Sequence, residues 1–272
     1  MGYKLLTLDM DGTLLTSDKK VSPATRAALE QVAAQGVALA YSTGRNALEL
    51  SDYLHELPFI RYGLLSSGAV VYDFEDQKAL SAKPIQTETL LTIMETASLE
   101  KTMLHVMTAH DSVVRPDDIP RMPQFCMGPY QDMFERICTR ETNLVAWAQA
   151  HPGEVIKLNC YHQNVESRAR TRARLTEMGL PLELVDSEGS SLECTARGAS
   201  KGEGIRILAK HLGITVDEAV AIGDSDNDIA ALTVAGMPVA MGNATDSVMS
   251  LAHMVVADND HDGIAEAVER LF

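Results

Sequence analysis

The run Leu5-Leu6-Thr7-Leu8-Asp9-Met10-Asp11-Gly12-Thr13 is apolar until it ends in two carboxylates one residue apart. Two such acids repel each other, and burying either is costly unless a cation or hydrogen bonds compensate it. A positive partner is therefore expected at this turn. A second apolar run, Ala221-Ile222-Gly223, leads into Asp224-Ser225-Asp226-Asn227-Asp228. Its side chains offer oxygen and no nearby His or Cys, a donor set that suits a hard divalent cation such as Mg²⁺. The spacing matches a calcium hand only in part, and the glutamate that would end such a loop is missing. Alone, the first stretch reads as a solvated acidic turn, and the second fits an acidic N-cap of the next helix as well as a ligand site. Together they form a cradle for a cation.

Two further stretches could hold an anion. Tyr41-Ser42-Thr43-Gly44-Arg45 ends another apolar run, where a hydroxyl and exposed backbone N–H groups meet a helix start. Ala199-Ser200-Lys201-Gly202 places a lysine at a helix N-terminus, where its charge adds to the dipole. Taken singly, the first is an ordinary Ser/Thr turn and the second a surface lysine.

The elements that would position these residues follow from the patterning. Tyr3 to Asp9, Val37 to Ser42 and Leu64-Leu65 read as strands, with Val70 to Tyr72 returning as a hairpin. Between them Ser22-Pro23 starts a helix over Ala24–Gln35 that Gly36 closes, and a second helix is expected over Ala47–Leu57. The C-terminal third repeats the rhythm. Helices are expected from Lys201 to before Gly213, over Asn227–Val234 and over Gly263–Leu271. Strands are expected over Glu218–Ile222, Pro238–Met241 and His253–Val256. Strand and helix alternating at this spacing predict a doubly wound parallel α/β sheet, with all four chemical stretches at strand-to-helix turns.

The middle breaks that rhythm and carries Pro116, Pro120, Pro123 and Pro129. It reads as an inserted α/β domain over 84–189, the core being 1–83 plus 190–272. Helices over Glu88–Leu99 and Val165–Met178 and strands over Met103–Met107 and Val155–Cys160 are expected inside it. Arg168, Arg170, Arg172 and Arg174 alternate around a helix and predict a solvated face, with Glu166 pairing Arg170. His105, His110, His151 and His162 are expected in surface or packing roles. Met103, Met107, Met122, Met127 and Met133 are expected to pack the insertion.

The chain has 272 residues, 46% of them hydrophobic, with a net charge of −15. That charge disfavours nucleic acid and anionic membranes as partners, so any anion site must be locally positive. Cys126, Cys138, Cys160 and Cys194 form no CxxC pair and no zinc-ligand spacing, so reduced thiols are expected. No leader is evident at the start, and no apolar run approaches membrane-span length. These features predict a cytoplasmic protein.

In combination the four stretches resemble the haloacid dehalogenase superfamily of phosphatases. Its pattern is met by Asp9–Thr13, Thr43, Lys201 and Gly223–Asp228. The Ser-Thr-Gly-Arg and Ser-Lys-Gly runs are similar to its Cof-type branch, which carries a large inserted cap. The resemblance implies a Rossmann-like core and Mg²⁺-dependent hydrolysis of a small phosphate monoester, such as a sugar or cofactor phosphate. It casts Asp9 as nucleophile and metal ligand, and Asp11 as general acid that also lends its carbonyl to the metal. Asp224 joins the metal shell, and Asn227 and Asp228 support it and orient Lys201. Thr43, Lys201 and backbone N–H groups near Met10 and Gly44 would hold the phosphoryl oxygens. The same aspartyl-phosphate chemistry also fits a phosphotransferase or phosphomutase. A phosphoacceptor switch fits less well, because it has no need of Asp11. Ser67-Gly68-Ala69 stands where relatives often have Asn-Gly-Ala, and the role of Arg45 stays open between a surface pair and a substrate contact. Oligomeric state is not indicated.

Overall fold

A computed structural model describes residues 2–187 and 189–272. The chain divides into two compact units. The first comprises Met1–Gly44, Ser51–Ser81 and Ser200–Phe272. Its sheet holds eight strands among the described residues, in the order Met254–Val255, Met237–Ala240, Ala219–Gly223, Leu5–Leu8, Ala38–Ser42, Tyr62–Leu65, Val70–Asp73 and Lys78–Ala82. The first six run parallel, and Tyr62–Leu65 turns back antiparallel onto Val70–Asp73. Leu5–Leu8 is buried at every position, as a strand between two parallel neighbours must be. The two ends of the chain thus build one sheet, with Leu5–Leu8 and Ala219–Gly223 side by side.

Local chemistry explains several element ends. Ser22 Oγ accepts from Thr25 N at 3.1 Å and starts helix Pro23–Ala34. Ser200 Oγ accepts from Glu203 N at 3.1 Å and starts helix Lys201–Leu212, which Gly213 closes in the left-handed conformation. Two expected helices differ. In place of one helix over Ala47–Leu57, a 3-10 turn at Leu48–Leu50 precedes a short helix at Ser51–Glu56. The cause is a reciprocal box: Asn46 N donates to Glu49 Oε2 at 2.9 Å and Glu49 N to Asn46 Oδ1 at 3.1 Å. Likewise the helix expected over Asn227–Val234 begins as a 3-10 turn at Asp226–Asp228 and becomes regular at Ile229–Val234. There the Asp228 carboxylate binds backbone N–H groups of the turn.

The second unit comprises Arg45–Leu50 and Ala82–Ala199. Its sheet orders Leu182–Asp186, Ser191–Ala196, Lys157–His162, Thr102–Met107, Ser112–Val114 and Thr139–Arg140. Strand Ser191–Ala196 pairs with Lys157–His162, so this sheet runs past the boundary expected at 189. Helices Thr87–Ser98, Leu144–Ala150 and Val165–Glu177 contribute to an apolar cluster with Val106, Leu158, Cys160 and Leu192. A second cluster gathers Met103, Met122, Met127, Phe125 and Phe134. It includes the 3-10 run Pro116–Phe125, which no periodic pattern announces. His105 and His162 are fully buried in packing roles. Arg170, Arg172 and Arg174 of helix Val165–Glu177 are solvated as expected, whereas Arg168 is only 13% exposed, and Arg170 pairs with Glu100 at 2.7 Å rather than with Glu166. The four cysteines are free thiols. Among the described residues no helix is long and apolar enough to cross a membrane.

Candidate active site

The site lies in the first unit, where adjacent parallel strands end. Asp9 follows Leu5–Leu8, and its N–H donates to Ile222 O at 3.0 Å, binding it to the neighbouring strand. The chain then folds back, with Leu14 N on Asp9 O at 3.2 Å and Leu15 N on Met10 O at 2.8 Å. Gly12 makes that turn at φ +88°, and a Cβ there would lie 2.6 Å from Asp224 Oδ2. Glycine is therefore required both for its conformation and for the close approach of the two acidic stretches. Thr13 Oγ1 completes the join by donating to Asp224 Oδ1 at 2.7 Å.

The positive partner asked for by the sequence is Lys201. Its Nζ lies 2.6 Å from Asp9 Oδ1 and 2.6 Å from Asp228 Oδ1, and the side chain is 1% exposed. The turn at Gly68 packs on this helix start so tightly that a Cβ there would meet Ser200 O at 2.0 Å. Asp228 uses its other oxygen to accept from Asp224 N at 3.1 Å and Ser225 N at 3.2 Å. One ligand oxygen from each of Asp9, Asp224 and Asp228 falls within 4.8 Å of the others.

One ammonium does not balance three carboxylates. Burial pushes the Asp9 carboxyl well above its ordinary range, and Asp228 adds to the effect against the pull of Lys201. Burial also raises Asp224 to about 6, opposed by the Thr13 hydrogen bond and reinforced by Asp228. Burial alone would lower Lys201, yet Asp228 and Asp9 outweigh it and hold the ammonium charged. The remaining negative charge and the all-oxygen donor set fit a hard divalent cation.

The other expected residues are placed as follows. Met10 is fully buried. Asp11 stands outside the carboxylate trio, and Lys19 Nζ donates to its Oδ1 at 2.7 Å. Thr43 is buried, its N–H on Leu64 O and its carbonyl accepting from Ser67 N, both at 2.9 Å. Gly44 follows it as the last residue of this stretch of the unit. Asn227 accepts from Ser225 Oγ at 2.8 Å, so the bond to Lys201 comes from Asp228 and not from Asn227. Arg45 belongs to the second unit, where its charge acts on Glu49.

Residues beyond those expected also shape the site. Asn243 Nδ2 donates to Gly12 O at 2.9 Å, and Thr245 N donates to Asp224 O at 2.9 Å. Both follow strand Met237–Ala240, so the strand-end rule that exposed the other turns would have reached them. Ser42 and Ser66 each bury a hydroxyl oxygen without a hydrogen-bond partner among the described residues. Ser42 lies within the Tyr41–Arg45 stretch expected to hold an anion, and Ser66 immediately precedes the Ser67-Gly68-Ala69 turn.

Comparison with known proteins matches residues 6–268 to the haloacid dehalogenase-like hydrolase family. Phosphatase YwpJ of Bacillus subtilis (strain 168) is 26% identical over 285 residues, covering 98% of this chain and 99% of its own. Pyridoxal phosphate phosphatase YbhA of Escherichia coli (strain K12) is 28% identical over 274 residues, covering 98% of each chain. The HMP-PP phosphatase of Serratia proteamaculans (strain 568) is 29% identical over 253 residues, 92% of this chain and 87% of its own. A solved haloacid dehalogenase-like hydrolase from B. subtilis superposes with a TM-score of 0.88 at 26% identity, over 99% of this chain and 100% of that one.

Proposed function

The chain belongs to the haloacid dehalogenase-like hydrolases, and from that premise we propose that it is a cytoplasmic, Mg²⁺-dependent phosphatase of small phosphate monoesters, the inserted unit selecting the substrate. The observation that carries this reading is the buried triad of Asp9, Asp228 and Lys201, with Lys201 Nζ at 2.6 Å from both acids and Asp224 converging on them. Named relatives that act on pyridoxal phosphate and HMP-PP support a small phosphorylated metabolite as substrate.

Asp9 is the nucleophile. Its free oxygen attacks phosphorus, the ester P–O bond breaks, and an aspartyl-phosphate forms. Lys201 holds the attacking carboxylate in place and, with Thr43 and the N–H groups near Met10 and Gly44, offers donors to the phosphoryl oxygens. Asp11 delivers a proton to the departing alkoxide. It then takes a proton from water as that water attacks phosphorus, and the Asp9–phosphorus bond breaks to release inorganic phosphate. Mg²⁺, held by Asp9, Asp224, the Asp11 carbonyl and the Asp228-supported turn, would neutralise charge on the transferring group. The Lys19–Asp11 pair fixes the acid in the turn and must loosen for the proton to move.

The test is phosphate release from an aryl phosphate and a sugar- and cofactor-phosphate panel, with Mg²⁺ or chelator, for wild type and Asp9→Asn. Metal-dependent release that the variant loses is expected. Transfer of the phosphoryl group to an added hydroxyl acceptor without free phosphate would replace hydrolysis by a transferase.

A further inference from the structure

We propose that the second unit has an anion-binding site of its own, suited to a compact phosphoryl-bearing oligoanion. It is a cavity of about 250 Å³ between the end of helix Thr87–Ser98 and the run Pro116–Phe125. Lys101, Arg115 and Arg121 line it, together with Asp118, Glu100 and Phe125. None of these residues belongs to the first unit or to the Asp9 cluster.

The carboxylates on this wall are already engaged. Asp118 is 2% exposed and takes both ends of the Arg115 fork, Nε at 2.8 Å and Nη2 at 3.3 Å. Glu100 accepts from Arg170 Nε at 2.9 Å, Arg170 Nη2 at 2.7 Å and Arg174 Nη1 at 2.9 Å. These arginines, Arg170 first, push its carboxyl down to about 2. Three cations, Lys101, Arg115 and Arg121, therefore line a wall with two acids, Asp118 and Glu100, each already held by arginine, in a chain whose net charge is −15. A local reversal of that kind attracts anions that the rest of the molecule repels.

The guanidinium groups are also held in place. The fork onto a buried carboxylate fixes Arg115, and Arg121 lies 5.9 Å over the Phe125 ring with Nη1 3.9 Å from Asp118 Oδ1. Both remain accessible, their side chains 43% and 49% exposed. Donors fixed before binding lose little entropy when an anion arrives. The adjacent helix end would oppose an anion, but two of its last carbonyls, Thr96 O and Ala97 O, are covered. Ala97 O accepts from Thr102 Oγ1 at 3.0 Å and Glu100 N at 3.1 Å, and Thr96 O accepts from Leu99 N at 3.3 Å. Cations arriving from Lys101, Arg115 and Arg121 suit a group with several oxygen faces better than a single planar carboxylate.

The probe is inorganic pyrophosphate, titrated into full-length, metal-free, chelator-free protein labelled with ¹⁵N-arginine. The Nε–Hε resonances of Arg115 and Arg121 are expected to shift saturably. The variant Lys101→Gln/Arg121→Gln keeps Arg115 on the buried Asp118, so its unfolding temperature should match wild type while pyrophosphate binds about tenfold or more weakly. Asp9→Asn should leave the shifts in place. Three results would overturn the proposal: shifts that rise linearly without saturating, equal affinity in the double variant, or shifts lost in Asp9→Asn.

Discussion

Among the described residues two lysines are buried, one in each unit, and the fold treats them differently. Lys201 and Lys157 are each 1% exposed. Lys157 pairs with Glu193 at 2.8 Å. Its other acidic neighbour, Glu49, has a pKa raised by burial, against the pull of Arg45 and Lys157. His105 shares this environment and is driven down to about 3 by burial and then by Lys157, so it is neutral. The second-unit cluster can thus close its charges internally. Around Lys201 three carboxylates converge and two of them are pushed upward. Burial of charge alone does not mark a reactive centre, because both clusters show it. The imbalance does, since it leaves room for a further cation and a reason to bind one.

The largest effect that tests this contrast is catalytic. Asp9→Asn should lower phosphate release by at least about 10⁴-fold, because the nucleophile is gone and the remaining groups can only bind. Stability should move the other way. Removing one of three crowded carboxylates relieves repulsion, so calorimetry of metal-free Asp9→Asn should give an unfolding temperature no lower than wild type.

Lysine replacement should separate the clusters next. Lys157→Met leaves Glu193 buried beside no ammonium and should cost about 3–5 kcal/mol, most of it recovered in Lys157→Met/Glu193→Leu. Lys201→Met should also destabilise the metal-free chain, and there Mg²⁺ should restore part of the loss. A ligand at about 100 times its dissociation constant contributes about 2.7 kcal/mol, ample for a thermal scan to detect. Equal Mg²⁺ response in both variants would erase the distinction between the clusters.

These contrasts bear on what was legible beforehand. The turns at Asp9–Thr13 and Gly223–Asp228 could be read because strand-ending acids and glycines are local, and strand alternation placed them on one sheet edge. The partner of Asp9 could be anticipated as a charge but lies 192 residues away. Lys19 on Asp11, Asn243 on Gly12 and Glu100 between two arginines were illegible for a related reason. Each is a polar contact set by tertiary placement, with no periodic signal. The run Pro116–Phe125 escaped because 3-10 turns built around prolines bury side chains without helical spacing.

A smaller effect concerns pH. Asp224 is raised to about 6 and Asp9 is raised as well, so the folded metal-free chain binds protons that the unfolded chain, with carboxyls near 3.8, has already released. Stability from these groups is complete below pH 4 and lost as pH rises through about 6 and beyond. The metal-free unfolding temperature should therefore carry a downward component between pH 4.5 and 7. Saturating Mg²⁺ should remove it, and Asp224→Asn should reduce it. A slope unchanged by either would assign the pH dependence to groups outside the trio.

The smallest effect lies at the turn Ser66–Gly68. Ser66 and Ser67 both hold positive φ, 49° and 61°, and Gly68 follows at 85°. Asparagine tolerates the left-handed region better than serine does. Ser67→Asn should therefore be accepted without loss and could gain a few tenths of a kcal/mol. Ser67 is 8% exposed and its N–H is fixed on Thr43 O, so a longer side chain there stays close to the turn at Thr43. The variant should change KM across a phosphate-ester panel more than kcat, because the carboxylate trio and Lys201 are untouched. A fall in kcat with KM unchanged would instead place position 67 among the groups that stabilise the transferring phosphoryl group.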